Sequence, residues 1–184
     1  APGAKVYSDF DAMLADPRVD VVSVVTPNHL HTQFVLKAAA AGKHVMCEKP
    51  PAMSLAETDR MIEACKKAGV KFGIFVQSRM RPPMRHIKAA LDSGRFGKIL
   101  RVDVQMKWYR NADYYKMDAW RSNRKCGAGV TIQHAFHYID ILQYLMGRGA
   151  EVTATMCNLA HPDVVLEDTL DARRADPGFP ALPD

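Results

Sequence analysis

The sequence predicts an α/β fold: a doubly wound parallel sheet followed by a second domain of mixed helices and strands. Residues 19–25 and 43–47 are short, almost unbroken apolar runs, as strands buried on both faces of a parallel sheet require. Residues 30–41 between them have helix-forming composition and stop at Gly42, a residue suited to the left-handed turn after a helix. The pattern then repeats. Ser54-Leu55-Ala56-Glu57 is a capping box opening a helix through Ala68, Gly69 ends that helix, and residues 70–76 read as a third strand. Strand, helix, strand, helix, strand with short links is the doubly wound arrangement. A further helix is expected over residues 9–15.

After Gln77 the character changes. Arg81-Pro82-Pro83 breaks the alternation, and residues 83–93 read as a helix with proline in its first turn. Gly94-Arg95-Phe96-Gly97 is a turn, and residues 98–107 alternate as a long strand. A loop is expected over 108–127. Residues 130–146 form the strongest helical pattern, with Ile132, Ala135, Phe136, Ile139, Leu142 and Met146 on one face. Residues 151–157 read as another strand. Periodicity ends near Leu170. The expected organisation is a first domain over 1–78, a second over 79–170 and an irregular tail over 171–184.

The bulk numbers are those of a globular chain: 184 residues, 48% hydrophobic and 24% charged. No apolar run approaches a membrane span of about 18–20 residues, so no membrane association is expected. The N-terminus has no signal-peptide pattern and no starting Met, and the natural start is expected upstream. Cys47, Cys65, Cys126 and Cys157 form no C-x-x-C pair, which argues for free thiols in a reducing compartment and a cytoplasmic protein. The net charge of +5 is concentrated between Arg79 and Lys125. That density fits a solvated surface, acidic partners elsewhere or an anionic substrate. Zinc-finger spacing and RNA-binding signatures are absent, so no nucleic acid partner is expected.

Three groups of residues can carry chemistry. Lys49 follows a strand and precedes Pro50 and Pro51, which restrict the backbone. A lysine at the carboxyl edge of a parallel sheet, where ligands bind, can donate to a substrate oxygen; a solvated lysine paired with Glu48 is the structural alternative. His137 lies four residues after Gln133 and three before Asp140, after Gly127-Ala128-Gly129. It could be a general base, or a structural histidine bonded to Asp140. A metal set of His134, His137 and Asp140 lacks standard spacing, and no metal is expected. Thr26, Pro27, Asn28 and His31 follow the first strand and could contact a ribose or an amide. Asn28 is equally a good N-cap, and His29, His31 and His44 are expected at the surface or behind the site. No G-x-G-x-x-G, P-loop or G-x-S-x-G is present.

Together these residues resemble the glucose-fructose oxidoreductase / inositol dehydrogenase (Gfo/Idh/MocA) family. The match rests on Thr26-Pro27-Asn28-His29-Leu30-His31, on Ala41-Gly42-Lys43-His44-Val45 leading into Glu48-Lys49-Pro50, and on Gly94-Arg95-Phe96-Gly97-Lys98-Ile99. It continues through Trp120-Arg121, the glycine-led His137-Tyr138-Ile139-Asp140 and Glu167-Asp168-Thr169. The resemblance implies a partial NAD(P)-binding Rossmann domain followed by part of the family's C-terminal substrate and oligomerisation domain. It implies hydride transfer between NAD or NADP and a hydroxyl-bearing carbon of a sugar or cyclic polyol, in a homo-oligomer when full length. By analogy, Lys49 orients the reacting hydroxyl, His137 takes its proton, and Gln133 joins them at the substrate. Thr26, Pro27, Asn28, His31, Glu48, Lys49, Pro50 and Gln77 would contact the cofactor, with Trp120 and Arg121 closing over it.

The sequence departs from the family pattern at Gln133, where many members carry Asp, and it lacks the glycine-rich turn. This chain alone is therefore expected to be inactive. The alternative of another class is a non-catalytic dinucleotide-binding sensor of the same fold.

Overall fold

A computed structural model describes residues 3–127, 129–164, 166 and 169–175. The chain divides into two compact units, Ala1–Phe75 and Val76–Asp184.

The first unit runs α1 (Phe10–Leu14), β1 (Val21–Val24), α2 (His31–Ala40), β2 (His44–Cys47), α3 (Leu55–Lys67) and β3 (Phe72–Ile74). The three strands pair in parallel in the order β1-β2-β3, with Val22 opposite Val45 and Cys47 opposite Ile74. Val22, Val24, Val45 and Cys47 point into a core completed by Leu14, Val35, Ala38, Ala39, Met61 and Cys65. Alternation is visible in β1, where Val22 and Val24 are buried and Val21 is exposed. Ser54 caps α3 by accepting the Glu57 N–H at 3.2 Å, and the Glu57 carboxylate accepts the Met53 N–H at 3.2 Å. The strand–helix alternation of a parallel sheet is present, with strands one to four residues shorter than the apolar runs.

The second unit begins with a short 3-10 turn, Gln77–Met80, and α4 (Pro82–Asp92). The segment expected as a loop over 108–127 contains α5 (Ala112–Lys116) and two 3-10 turns. The long helix expected over 130–146 opens as a π-turn, Thr131–Ala135, and becomes regular as α6 (Phe136–Met146). β4 (Glu151–Cys157) then pairs antiparallel with β5 (Thr169–Ala175).

Two expectations are corrected here. Residues 98–107 alternate in polarity but form no strand. An alternating run becomes a strand only when a neighbour bonds its backbone and something covers its apolar face. Here Leu100, Val102 and Val104 stay exposed, and β4 pairs with β5 instead. The irregular tail expected from residue 171 is likewise a strand as far as Ala175, because β4 supplies a ladder partner that local pattern does not announce. The remainder of that tail, Ala128 and Glu167-Asp168 lie outside the described residues. No helix among the described residues is long and apolar enough to cross a membrane.

Candidate active site

In the first unit the parallel ladder continues one residue past β2: the Glu48 N–H donates to the Val24 carbonyl at 2.9 Å. The two polar segments after it, Thr26-Pro27-Asn28 and Glu48-Lys49-Pro50, therefore emerge side by side from neighbouring strands. This is the carboxyl edge of the sheet, where open α/β folds bind ligands. The Lys49–Pro50 peptide is cis.

His31 ties the two segments together. Its Nδ1 lies 2.9 Å from the Pro50 carbonyl oxygen and its Nε2 lies 2.8 Å from that of Thr26. The side chain is completely buried. Of the two positions expected, at the surface or behind the site, His31 takes the second: the ring sits beneath the loops, with both nitrogens against main-chain oxygens. The signal for burial was in the sequence. His31, Val35, Ala38 and Ala39 recur at helical spacing and are the buried face of α2.

Lys49 is partly buried, and burial pushes its amine below the ordinary 10.5 against the opposing pull of Glu48. The Glu48 carboxylate accepts the Lys49 backbone N–H at 3.0 Å. Asn28 is buried inside a 3-10 turn ahead of α2, and the cap positions fall on Pro27 and Leu30, so the N-cap reading is corrected. The Thr26 Oγ1 is buried and has no hydrogen-bond partner among the described residues. Threonine hydroxyl, asparagine amide, carboxylate and ammonium at one sheet edge form a donor and acceptor set that fits the ribose and carboxamide of a nicotinamide nucleotide. Cys47, just below, has its thiol pushed up to about 12 by burial.

In the second unit, Gln133 lies in the π-turn, and its side-chain amide donates to the Gly127 carbonyl at 2.9 Å. The wider π winding changes the phase of the helix there, so four-residue spacing does not by itself put Gln133 and His137 on one face. His137 is the second residue of α6, with its ring edge-on to Phe136.

Asp140 is gripped by Arg79, whose Nε donates to Oδ2 at 2.8 Å and whose Nη2 donates to Oδ1. Asp140 thus pairs with Arg79 and not with His137, as the structural alternative had it, and Asp140 in turn raises the Arg79 pKa. Sequence reasoning missed this pair because the partners are 61 residues apart. Gln77 is exposed at the start of its 3-10 turn. The Arg121 guanidinium stacks 4.7 Å from the Trp120 ring and 4.6 Å from that of Tyr114, and bonds Asp118 at 3.0 Å.

Known proteins share this pattern. Residues 1–76 match the oxidoreductase family, NAD-binding Rossmann fold (GFO_IDH_MocA), and residues 84–173 match the GFO/IDH/MocA C-terminal domain. The chain is 34% identical over 152 residues to levoglucosan dehydrogenase of Pseudarthrobacter phenanthrenivorans, covering 81% of this chain and 38% of that protein. It is 35% identical over 156 residues to 2,7-anhydro-N-acetylneuraminate hydratase of Escherichia coli, covering 84% of this chain and 41% of that one. The chain thus spans about two fifths of the length of these relatives. Among solved structures, the WlbA dehydrogenase of Bordetella pertussis in complex with NADH and UDP-GlcNAcA superposes with a TM-score of 0.87 at 35% identity. That match covers 94% of this chain and 53% of the other.

Proposed function

The chain belongs to the GFO/IDH/MocA oxidoreductase family, and from that premise we propose that the complete protein is an NAD(P)-dependent dehydrogenase acting on a hydroxyl-bearing carbon of a sugar or cyclic polyol. The observation that carries this reading is the pair of polar loops at the carboxyl edge of the parallel sheet, fixed to one another through His31 and presenting a partly buried lysine. The similar levoglucosan dehydrogenase and the neighbouring structure holding UDP-GlcNAcA support the sugar class, and the NADH of that structure supports the cofactor.

The roles follow from the chemistry of each group. Lys49, as the ammonium, donates to the reacting hydroxyl oxygen and orients it. His137 takes the hydroxyl proton as the carbon–oxygen double bond forms. Such a general base contributes on the order of 10²- to 10⁴-fold. Thr26, Asn28 and Glu48 hold the nicotinamide side, with His31 and Pro50 supporting them from below. Gln133, in place of a carboxylate, orients without adding charge. Trp120 and Arg121, stacked on one another, are suited to cover a flat ring. When bound, the nicotinamide supplies the hydride acceptor.

Four free cysteines support a reducing, cytoplasmic setting. The complete protein is proposed to be a homo-oligomer. The 184 residues hold no glycine-rich phosphate turn, and this segment alone is expected to show no turnover.

The test is made on the complete protein. NADH binding is followed by fluorescence, and a panel of sugars and polyols is screened at 340 nm. Lys49→Ala and His137→Ala are each expected to lower kcat at least about 100-fold. Wild-type rates in both variants would overturn the roles. NADH binding with no turnover on any sugar or polyol would favour the non-catalytic sensor.

A further inference from the structure

The second unit contains a cavity that the roles above do not use. It measures about 90 Å³ and is lined by Met106, Trp108, Arg110, Tyr115, His134 and His161, among others. No lining residue among those described is a carboxylate. At about 30 Å³ per water, it holds some three waters, or one carboxylate or phosphate group, and not a whole hexose.

Arg110 supplies its charge. The guanidinium lies 5.3 Å from the Trp108 ring centre and 5.2 Å from that of Tyr114. Its Nε–H donates to the His134 Nε2 at 3.3 Å and its Nη1 to the Tyr109 carbonyl at 3.2 Å. The same Nε2 lies 3.4 Å from the Tyr114 hydroxyl. The His161 Nε2 donates to the Arg110 carbonyl at 2.7 Å, which fixes the main chain behind the guanidinium. Neutral acceptors and aromatic faces hold the cation without cancelling its charge, and the ion pairs among the described residues leave Arg110 out. A preorganised guanidinium fork matches a carboxylate or phosphate in geometry and charge. Trp108 and Tyr109, 52% and 79% exposed, offer flat apolar surfaces at the rim on which a sugar ring can stack.

We propose that this cavity binds the anionic group of an acidic sugar, a carboxylate or a phosphate, with Arg110 as its ligand. The proposal rests on the sugar-dehydrogenase reading and narrows its substrate class.

The experiment titrates matched sugars into the complete protein and follows tryptophan fluorescence and heat. D-glucose is compared with D-glucuronate and D-glucose 6-phosphate, and D-galactose with D-galacturonate. An anionic member is expected to bind at least about tenfold tighter than its neutral partner, about 1.4 kcal/mol. Arg110→Met should erase that preference, and Arg110→Lys should keep part of it, since an ammonium keeps the charge and loses the fork. The tighter of uronate and phosphate ester names the source of the anion.

Equal or tighter binding of the neutral sugars, binding of none, or a preference that survives Arg110→Met overturns the proposal. Should Arg110→Met fail to fold, added salt must weaken the anionic sugars selectively in the wild type; indifference to salt overturns it. NADH is titrated in the same samples. NADH binding with no anion preference sinks this inference alone, whereas absence of both NADH binding and turnover sinks the dehydrogenase reading.

Discussion

His31 sits completely buried in the first turn of α2, with both ring nitrogens on main-chain oxygens of different loops. A phenyl ring of similar size would fill the space and leave the carbonyl that accepts the imidazole N–H without its donor. An unsatisfied buried acceptor costs about 1–3 kcal/mol, so His31→Phe is expected to lose about 2 kcal/mol or more in urea unfolding. His31→Gln, which keeps an amide donor for one carbonyl, should lose less. A stability within about 0.5 kcal/mol of wild type for His31→Phe would show that the loops hold their places without the ring. Lys49 gives a second prediction through pH. Burial lowers its pKa from 10.5, outweighing Glu48. Between the lowered value and 10.5 the folded protein has released a proton that the unfolded chain keeps, so stability rises with pH across that window. The contribution is complete above 10.5 and is lost as pH falls through the folded value. If Lys49 donates to the substrate, kcat/KM has an alkaline limb at a pKa below 10.5. Lys49→Arg, which keeps its proton throughout, should remove that limb from whatever activity remains. A limb unchanged in Lys49→Arg would assign it to another group.

Elements were legible in the sequence where local pattern and tertiary partner agree. The strand–helix alternation of the first unit, the capping box at Ser54 and Glu57, and the strand at Glu151–Cys157 are all read from residues within a few positions of one another. So was the lysine at the sheet edge. What stayed hidden depends on distant partners: the Arg79–Asp140 pair, the ring of His31 reaching to Pro50, and the Arg110 cavity walled by residues from Met106 to His161. The π-turn at Thr131–Ala135 was hidden for another reason, since its residues carry an ordinary helical pattern. Packing between β2 and β3 illustrates the limit. Gly73 faces Met46, and a Cβ added to it would stand 2.6 Å from the Met46 Sδ. The atom that must move is the far end of a flexible side chain, so Gly73→Ala is expected to cost only about 1 kcal/mol, the low end of overpacking. Met46→Ala in the same protein should recover most of that loss, giving a coupling of about 0.5 kcal/mol or more in a double-mutant cycle. Additive effects would mean that the sheet adjusts elsewhere.

Across the whole molecule, the two compact units carry different chemistry, and that division is testable. The first holds the sheet-edge loops suited to a nicotinamide nucleotide, and the second holds the general-base candidate and the cationic cavity. A substitution in the first set should then disturb cofactor affinity, and one in the general-base helix or the cavity should not. Lys49→Ala and His31→Phe are expected to weaken NADH binding at least about fivefold, about 1 kcal/mol, the net worth of a typical hydrogen bond. His137→Ala and Arg110→Met should leave the NADH dissociation constant within about twofold and lower turnover on the natural sugar instead. Trp120 and Arg121 cross the division, because a stacked indole and guanidinium in the second unit are proposed to cover the cofactor. Trp120→Ala should therefore weaken NADH as Lys49→Ala does, by removing a stacking surface that contributes without any change in charge. NADH fluorescence titration beside steady-state kinetics on the five variants separates these outcomes. If His137→Ala weakened NADH as strongly as Lys49→Ala, the two units would share the cofactor more evenly than their residues suggest, and the roles assigned to α6 would need to be redrawn.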